Sequence, residues 1–173
     1  SSNIIVEENL IPGKYFIMSI HREENVDSKE NFNQLLNSIN EIEKVFGMPV
    51  IISTHPRTEK KLKSINYQNL NKNIIFSKPY GFHDYIQLQM NAFCVISDSG
   101  TITEEASILN FPAITIRQAH ERPEGMDEGT IIMSGLNKDR IIESIKVITE
   151  TKLARIVTDY NVDNVSDKVL KVI

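Results

Sequence analysis

The sequence is poor in several features that would by themselves assign a protein class. It has one cysteine, Cys94, among 173 residues, which excludes an internal disulfide framework and favours a reducing compartment. Its 19 Lys and Arg against 23 Asp and Glu give a net charge of −4, too acidic for a general nucleic-acid binder. No apolar run approaches the roughly 20 residues that span a bilayer, and nothing at the start marks the chain for export. We therefore expect a cytoplasmic protein without nucleic-acid or membrane partners.

Motifs of several cofactor and nucleophile classes are also absent. No group of His, Cys, Asp and Glu has zinc-ligand spacing, and the P-loop, G-x-G-x-x-G and G-x-S-x-G patterns do not occur. The sequence therefore predicts no metal and no cofactor. What is present is an ordinary globular composition, 40% hydrophobic and 24% charged, whose length fits one domain with a substantial core.

Short β-branched runs alternate with segments of helical period, a pattern typical of an α/β fold with a parallel sheet. Cys94 lies in one of these runs, so we expect it to be buried in a strand. The predicted strands are 15–20, 50–53, 73–76, 92–97, 113–116 and 130–133. The predicted helices are 29–46 behind a Ser28 N-cap, 56–65, 82–90, 101–109, 138–149 behind an Asn137 N-cap, and 165–173.

The residues that directly follow the predicted strands are unusually polar. Ligands of such sheets bind beyond the carboxyl ends of the strands, so these positions carry most of the functional information. We expect them to share one rim, although loops are polar in any protein. They are His21, His55, Ser99-Gly100-Thr101 and Arg117, with His83 and His120 in loops that also follow strands.

A turn joins the fourth predicted strand to the next helix through Ser99, Gly100 and Thr101. Free backbone N–H groups, the positive end of the helix and two hydroxyls make it a candidate phosphate site. The alternative is an ordinary N-cap, since Thr101 and Glu104 have the spacing of a capping box. Glu105 is suited either to accept hydrogen bonds from ribose hydroxyls or simply to place a carboxylate in the first helical turn.

Two further segments concentrate charge after strands. His21 and Arg22 open the segment His-Arg-Glu-Glu-Asn, which would place a proton donor and a guanidinium beside an anion; the alternative is a solvated loop. The segment 117–125 is suited to recognise a polar ligand, or else is a self-neutralising surface loop. Its charged residues include Arg117, His120, Glu121, Arg122 and Glu124.

Taken in order, these segments resemble the C-terminal half of the non-hydrolysing UDP-N-acetylglucosamine 2-epimerase family. The resemblance is carried by residues 21–25, by 98–100 with Glu104 and Glu105, and by Arg117 with Glu-Arg-Pro-Glu at 121–124 and Gly-Thr at 129–130. It implies a Rossmann-like, doubly wound parallel sheet that forms the C-terminal half of a GT-B-type enzyme. Residues 1–12 would then be a linker region and 13–173 a UDP-binding domain. The N-terminal domain would be absent from this chain, which would be a truncated form of the enzyme.

The resemblance also implies a reaction. Members of the family eliminate UDP across C1 and C2 of a UDP-N-acetylhexosamine and add it back after protonation on the opposite face, which inverts C2 without metal or nicotinamide. The principal acid/base carboxylates belong to the N-terminal domain, so the chain alone is expected to be inactive. The complete enzyme is expected to be a homodimer that binds a UDP-sugar.

Residue roles follow from the same resemblance. His21 would be catalytic, acting on the phosphates as the leaving group gains charge. Arg22 and Phe82 would lie beside the nucleotide, although core packing is an alternative for Phe82. The predicted UDP-binding residues are Arg22, Phe82, Ser99, Gly100, Thr101 and Glu105, and the predicted substrate or effector loop contains Arg117, His120, Glu121, Arg122 and Glu124.

Two departures from the family pattern affect these expectations. Thr101 stands where the typical phosphate turn has a second glycine, and Arg-Gln-Ala-His at 117–120 stands where Arg-Asp-Thr-Thr is usual. The altered loop resembles a branch that makes UDP-N-acetyl-L-fucosamine from its C2 epimer for capsule or O-antigen assembly. A GT-B glycosyltransferase domain and a non-catalytic phosphosugar-binding module remain alternatives, because fold analogy alone does not separate them.

Overall fold

One parallel sheet of six strands organises the part of the chain that the computed structural model describes, residues 2–54, 58–60, 70–117 and 131–151. The strands are β1 (Phe16–Ile20), β2 (Val50–Thr54), β3 (Ile74–Ser77), β4 (Cys94–Ser97), β5 (Ala113–Thr115) and β6 (Ile131–Met133). The helices are α1 (Ile4–Glu7), α2 (Glu23–Val26), α3 (Lys29–Phe46), α4 (Phe82–Met90), α5 (Ile102–Leu109) and α6 (Lys138–Glu150).

The predicted α/β class and doubly wound sheet are confirmed. All pairings are parallel and the strand order is β3-β2-β1-β4-β5-β6, the order of a Rossmann sheet. The six predicted strands all form, with boundaries shifted by one or two residues. The predicted helix 165–173 and most of the helix 56–65 lie outside the described residues, of which 58–60 are helical.

Two short helices were not predicted. Helix α1 lies within residues 1–12, the predicted linker, and buries Ile4 against the sheet-and-helix core on one side of the molecule. Helix α2 follows β1 directly and buries Asn25 and Val26. Each has only four residues, which is too short for a period of 3.6 to be visible in the sequence. The division into a linker and a domain stays a prediction.

Helix α3 begins and ends where its capping residues predict. The Ser28 side chain accepts a hydrogen bond from the N–H of Asn31 at 3.2 Å, and Gly47 ends the helix with a φ of 62°. Positive φ is costly for residues with a Cβ, so glycine is the natural residue there. Helix α6 is capped in the same way by Asn137, whose side-chain oxygen accepts from the N–H groups of Asp139 and Arg140, both at 3.1 Å.

The core has two parts, one on each face of the sheet. Helices α3 and α6 cover the face that carries Phe16, Met18 and Ile96. Helices α4 and α5 cover the opposite face, which carries Ile17 and Val95. Cys94 is fully buried on β4, as predicted. Among the described helices, none has the length and apolar character needed to cross a membrane.

The apolar interior ends in a row of hydroxyl side chains near the carboxyl edge of the sheet. Because the register is parallel, five consecutive strands place a hydroxyl residue side by side on the face covered by α4 and α5. The row runs Ser77, Ser53, Ser19, Ser97 and Thr115. Strands β1 and β4 lie at its centre, where the direction of strand succession reverses. That reversal is the topological switch point at which such sheets bind their ligands.

Candidate functional site

The first part of the site is a buried carboxylate at the end of β4. Asp98 has no solvent exposure, and its oxygens accept the backbone N–H groups of His21 at 3.2 Å and of Arg22 at 3.0 Å. The Asn25 side chain donates a further hydrogen bond at 3.1 Å. These donors come from the segment after β1, so Asp98 holds the end of β1 and helix α2 against the end of β4.

The imidazole of His21 pairs with the same carboxylate. Its Nδ1 lies 3.0 Å from Oδ1 of Asp98, while 46% of the His21 side chain remains exposed. The hydrogen bond to Asp98 raises the pKa of His21 above its usual 6.5, against the opposing effect of burial. His21 is thus fixed by one nitrogen, with a partly exposed ring that favours the protonated state.

Asp98 stays ionised although it is buried. Burial acts to raise its pKa, but the hydrogen bonds from His21, Arg22 and Asn25 together outweigh burial and hold the pKa of Asp98 below its usual value. The Arg22 side chain also reaches this strand end, because its Nε donates to the Asp98 carbonyl at 2.9 Å. The alternative of a solvated loop for residues 21–25 is therefore wrong for Arg22 and Asn25, whereas His21 is paired but partly exposed.

An open cavity adjoins this pair. It has a volume of ≈ 410 Å³ and is lined by His21, Arg22, Glu23 and Glu24. The cavity lies beyond the carboxyl end of β1, where a ligand of a doubly wound sheet is expected. The predicted proton donor and guanidinium therefore both line an accessible space.

The second part of the site is the turn between β4 and α5, where the capping-box alternative is wrong. The Thr101 side chain makes no capping hydrogen bond to the helix backbone. Its hydroxyl instead donates to Oε1 of Glu105 at 2.7 Å and lies 3.0 Å from the Ser99 hydroxyl. The first turn of α5 is therefore not closed by its own Thr101, and its leading N–H groups have no intrahelical acceptors.

The expectation of free N–H groups throughout this turn is also corrected at two positions. The N–H of Ser99 donates to the Ser97 hydroxyl at 3.0 Å, and the N–H of Thr101 donates to the Ser99 hydroxyl at 3.4 Å. The second contact is long, and so a weak one. The donors best placed for an anion are therefore the N–H groups that open α5 and the half-buried hydroxyl of Ser99.

Glu105 is engaged from two sides. Besides the Thr101 hydroxyl, it accepts a hydrogen bond at 2.7 Å from Nε2 of Gln89, a residue of α4 that is 1% exposed. Tyr85, one turn earlier on α4, hydrogen-bonds with Ser19 in the hydroxyl row, and burial raises its pKa. Glu105 is thus part of a polar layer between α4, α5 and the sheet.

Phe82 and Arg117 occupy opposite environments. Phe82 opens helix α4 and is 76% exposed, so core packing is excluded for it and an apolar surface is available to a ligand. Arg117 lies two residues after the end of β5 and is 7% exposed. The rest of the predicted loop, with His120, Glu121, Arg122 and Glu124, lies outside the described residues.

The prediction that the four histidines share one rim of the sheet can be checked for the two that lie among the described residues. His21 lies just after β1, and His83 lies in the first turn of α4, which follows β3. Because all strands are parallel, both positions lie toward the carboxyl edge of the sheet. His55 and His120 lie outside the described residues.

Sequence reasoning did not single out Asp98 or Gln89, although both make central contacts in the site. Asp98 was noted only as part of a motif, yet its contacts join the two strand ends. A carboxylate that directly follows the apolar run Cys94–Ser97 is a detectable signal, because a charge there must find partners. Gln89 gave no such signal, since a glutamine near a helix end is ordinary on an exposed surface.

Comparisons with known proteins agree on one family. A family model described as UDP-N-acetylglucosamine 2-epimerase matches residues 1–173. A solved UDP-N-acetylglucosamine 2-epimerase from Rickettsia bellii is 47% identical with a TM-score of 0.88, covering 99% of this chain and 47% of that chain. The UDP-GlcNAc 2-epimerase of Methanocaldococcus jannaschii, solved in complex with UDP-GlcNAc and UDP, is 32% identical with a TM-score of 0.87, covering 99% of this chain and 48% of that chain.

A curated relative gives the same result. The UDP-N-acetylglucosamine 2-epimerase of Methanocaldococcus jannaschii is 38% identical over 146 residues, which are 83% of this chain and 40% of that protein. The chain therefore spans less than half the length of each of these relatives. The resemblance found in the sequence is confirmed at the level of the family, whereas the L-fucosamine branch stays a prediction.

Proposed function

Because this chain belongs to the UDP-N-acetylglucosamine 2-epimerase family, we propose that it is the nucleotide-sugar-binding part of a UDP-N-acetylhexosamine 2-epimerase. The observation that carries the proposal is the meeting of two strand ends at the switch point of the sheet. There the His21–Asp98 pair, with Nδ1 3.0 Å from the carboxylate, lies across from the turn that opens α5. A relative of similar structure has been solved with UDP-GlcNAc and UDP, which supports a ligand of this type.

The diphosphate is the group that this arrangement suits best. The opening N–H groups of α5 and the hydroxyl of Ser99 offer donors near Gly100, where the lack of a side chain allows close approach. His21 and Arg22 add positive charge from the side of β1. Hydrogen bonds between charged partners contribute on the order of 1.5–3 kcal/mol each. We therefore assign the diphosphate to the gap between the ends of β1 and β4.

The nucleoside would extend from there toward α4. In this proposal Glu105 accepts hydrogen bonds from the ribose hydroxyls, and the exposed ring of Phe82 lies beside the base. Arg117 and the segment that follows it would contact the sugar or an effector. The finer sugar identity, including the 6-deoxy branch with its role in surface polysaccharide assembly, and a cytoplasmic location are parts of the proposal that rest on the sequence.

The reaction we propose is elimination followed by re-addition. A base removes the proton from C2 while the C1–O bond to UDP breaks, which leaves an unsaturated sugar and UDP. A proton then returns to C2 from the opposite face, and UDP adds to C1 again, so that only C2 is inverted. Protonated His21, held by Asp98, would stabilise the charge that develops on departing UDP, which is where preorganised donors act most strongly. The acid and base at C2 would come from the other half of the complete enzyme.

The test of the phosphate assignment compares UDP with uridine by calorimetry on this chain. We expect UDP to bind at least roughly tenfold more tightly, because only UDP reaches the donors at the two strand ends. Ser99→Ala should weaken UDP and leave uridine unchanged. Ser28→Ala, a serine that caps α3, is the matched control. Equal affinities for UDP and uridine would remove the phosphate site from the proposal.

A second measurement separates epimerisation from glycosyl transfer. The complete enzyme is incubated with UDP-GlcNAc in D2O without any acceptor, and the product is followed by NMR. Inversion at C2 with uptake of deuterium there is the expected outcome. A substrate recovered with C2 unchanged and undeuterated would contradict the epimerase proposal.

A further inference from the structure

The carboxylate of Glu105 is held by residues from two different elements. Gln89 on α4 donates to Oε2 at 2.7 Å, and Thr101 in the turn before α5 donates to Oε1 at 2.7 Å. Each oxygen therefore has one protein donor. Because the donors approach from α4 and from the turn, the carboxylate cannot change rotamer without breaking at least one of these hydrogen bonds.

The orientation of the Gln89 amide is set by its hydrogen bond to Glu105. Gln89 is 1% exposed, and its Oε1 is buried without meeting a hydrogen-bond donor among the described residues. Turning the amide over would bring Oε1 against the Glu105 carboxylate, and two acceptors would then face each other. Glu105 therefore sets the orientation of the amide. This orientation costs free energy, because the buried Oε1 of Gln89 has no donor among the described residues.

The direction of the hydrogen bonds in the turn follows from elementary chemistry. An ionised carboxylate only accepts, so the single hydroxyl hydrogen of Thr101 goes to Glu105. While no nucleotide is bound, Ser99 is then the donor and Thr101 the acceptor in the 3.0 Å contact between the two hydroxyls, and the Ser99 hydroxyl can rotate toward a phosphate oxygen when UDP binds. The hydroxyls of Ser99 and Thr101 thus form a directed chain that ends on Glu105. This chain connects the proposed phosphate site to the proposed ribose site.

We propose that Thr101 and Gln89 are positioning residues that hold Glu105 as a preorganised acceptor for the two adjacent hydroxyls of a ribonucleotide. The proposal rests on the proposed function, in which Glu105 binds the ribose. A carboxylate has about four lone-pair sites, so with one donor on each oxygen it keeps capacity for a second on each. Two oxygens of a fixed carboxylate match two hydroxyls on neighbouring carbons, and the ordering cost on binding is already met.

Thr101 is the distinctive part of this device. In the family pattern that the chain resembles, glycine is typical at this position, and glycine could not donate to Glu105. A side chain beside the phosphates reduces the space there, whereas its hydroxyl gives Glu105 a second support. The selection of ribose in this protein should therefore depend on residue 101.

The experiment measures the ratio of the dissociation constants of 2′-deoxy-UDP and UDP by calorimetry on this chain. For the unchanged protein we expect UDP to bind on the order of tenfold more tightly, the value of about one hydrogen bond to a charged group. Thr101→Val keeps the shape and removes the donor, and Gln89→Met does the same on α4. Each should reduce the preference to about threefold or less. Thr101→Ser keeps the hydroxyl and should restore it.

The outcomes distinguish the positioning role from the proposed function itself. A chain that prefers UDP but retains the full preference in both Thr101→Val and Gln89→Met overturns the positioning role and leaves Glu105 as the ribose ligand. A chain with no preference for UDP over 2′-deoxy-UDP overturns both assignments. Because Thr101 is exposed, Thr101→Val keeps the test valid should Gln89→Met fail to fold. Circular dichroism of each variant identifies a general loss of structure, so that the ratio is compared only among folded proteins.

Discussion

At the scale of single residues, the site depends on a carboxylate that the fold keeps both buried and ionised. Asp98 has no exposure, yet the hydrogen bonds that it accepts from the His21 side chain, the Arg22 backbone and the Asn25 side chain hold its pKa below the usual value. A buried carboxylate without such partners would take up a proton. Satisfied in this way, Asp98 fixes the tautomer and orientation of the His21 ring and strengthens its protonated form.

The first residue-scale prediction concerns the titration of His21. Its folded pKa is raised above 6.5, so the ion pair contributes its full stability below pH 6.5 and loses it as the pH rises through the raised pKa. On the acid side, the contribution of Asp98 is lost as the pH falls through its lowered pKa. NMR titration should place the His21 midpoint above 6.5, and Asp98→Asn should shift it downward. An unchanged midpoint in Asp98→Asn would contradict the pairing.

The His21–Asp98 pair should also affect kcat of the proposed epimerisation. In the complete enzyme, we expect His21→Asn to lower kcat by about a hundredfold, as the loss of one preorganised donor does, and to change the affinity for the UDP-sugar much less. Steady-state kinetics with UDP-GlcNAc measures both. A raised KM with an unchanged kcat would make His21 a binding residue only.

At the scale of elements, the two longest described helices, α3 and α6, begin at capping side chains. Helix α3 starts at Ser28 and α6 at Asn137, each with a side-chain oxygen on a first-turn N–H. Helix α5, which opens onto the site, lacks such a capping bond from Thr101. The N-terminus beside the proposed phosphate site therefore has no side-chain cap, and among the described helices the same holds for α1, α2 and α4.

An element-scale prediction follows from this contrast. Ser28→Ala and Asn137→Ala should each lower the free energy of unfolding by about 1 kcal/mol, because each removes an N-cap acceptor. Neither should change the affinity for UDP. Thr101→Ala should lower the free energy of unfolding by much less, since its side chain caps nothing. Chemical denaturation followed by circular dichroism checks all three, and a large loss in Thr101→Ala would contradict the description of α5.

At the scale of the molecule, the parallel order of the strands explains why residues far apart in sequence share one site. His21 and Asp98 are 77 positions apart, yet they follow neighbouring strands that end at the same edge. In the proposed function, this edge of the sheet forms one wall of the nucleotide site. The relatives that resemble this chain are about twice its length or more. We propose that the part of the enzyme that this chain does not span forms the opposite wall.

The corresponding prediction concerns this chain by itself. It should bind UDP measurably and should not epimerise UDP-GlcNAc, because the proposed acid and base at C2 are not among its described site residues. NMR in D2O over an extended incubation, with the complete enzyme as the positive control, measures any exchange at C2. Turnover by the chain alone would place the acid/base groups within its 173 residues.

The sequence by itself determined the fold class, the strands, the caps of α3 and α6 and the family. These depend on local signals: β-branched runs, a 3.6 period over 18 residues in α3, and cap residues at the ends. It also indicated His21, the turn at Ser99, and Glu105 in the helix that follows this turn. Each of these signals lies within one segment of the sequence, at or just after the end of an apolar strand. The four-residue helices escaped it because they are shorter than the period that would reveal them.

Tertiary structure decided which of these residues act together. The pairing of His21 with Asp98 depends on β1 lying next to β4, and the contact of Gln89 with Glu105 depends on the packing of α4 beside α5. It also decided that Thr101 supports Glu105 instead of capping α5, and that Phe82 is exposed instead of buried. A single segment leaves the partners of His21 and Gln89 open, because those partners lie 77 and 16 positions away and only the packing of the elements brings them into contact.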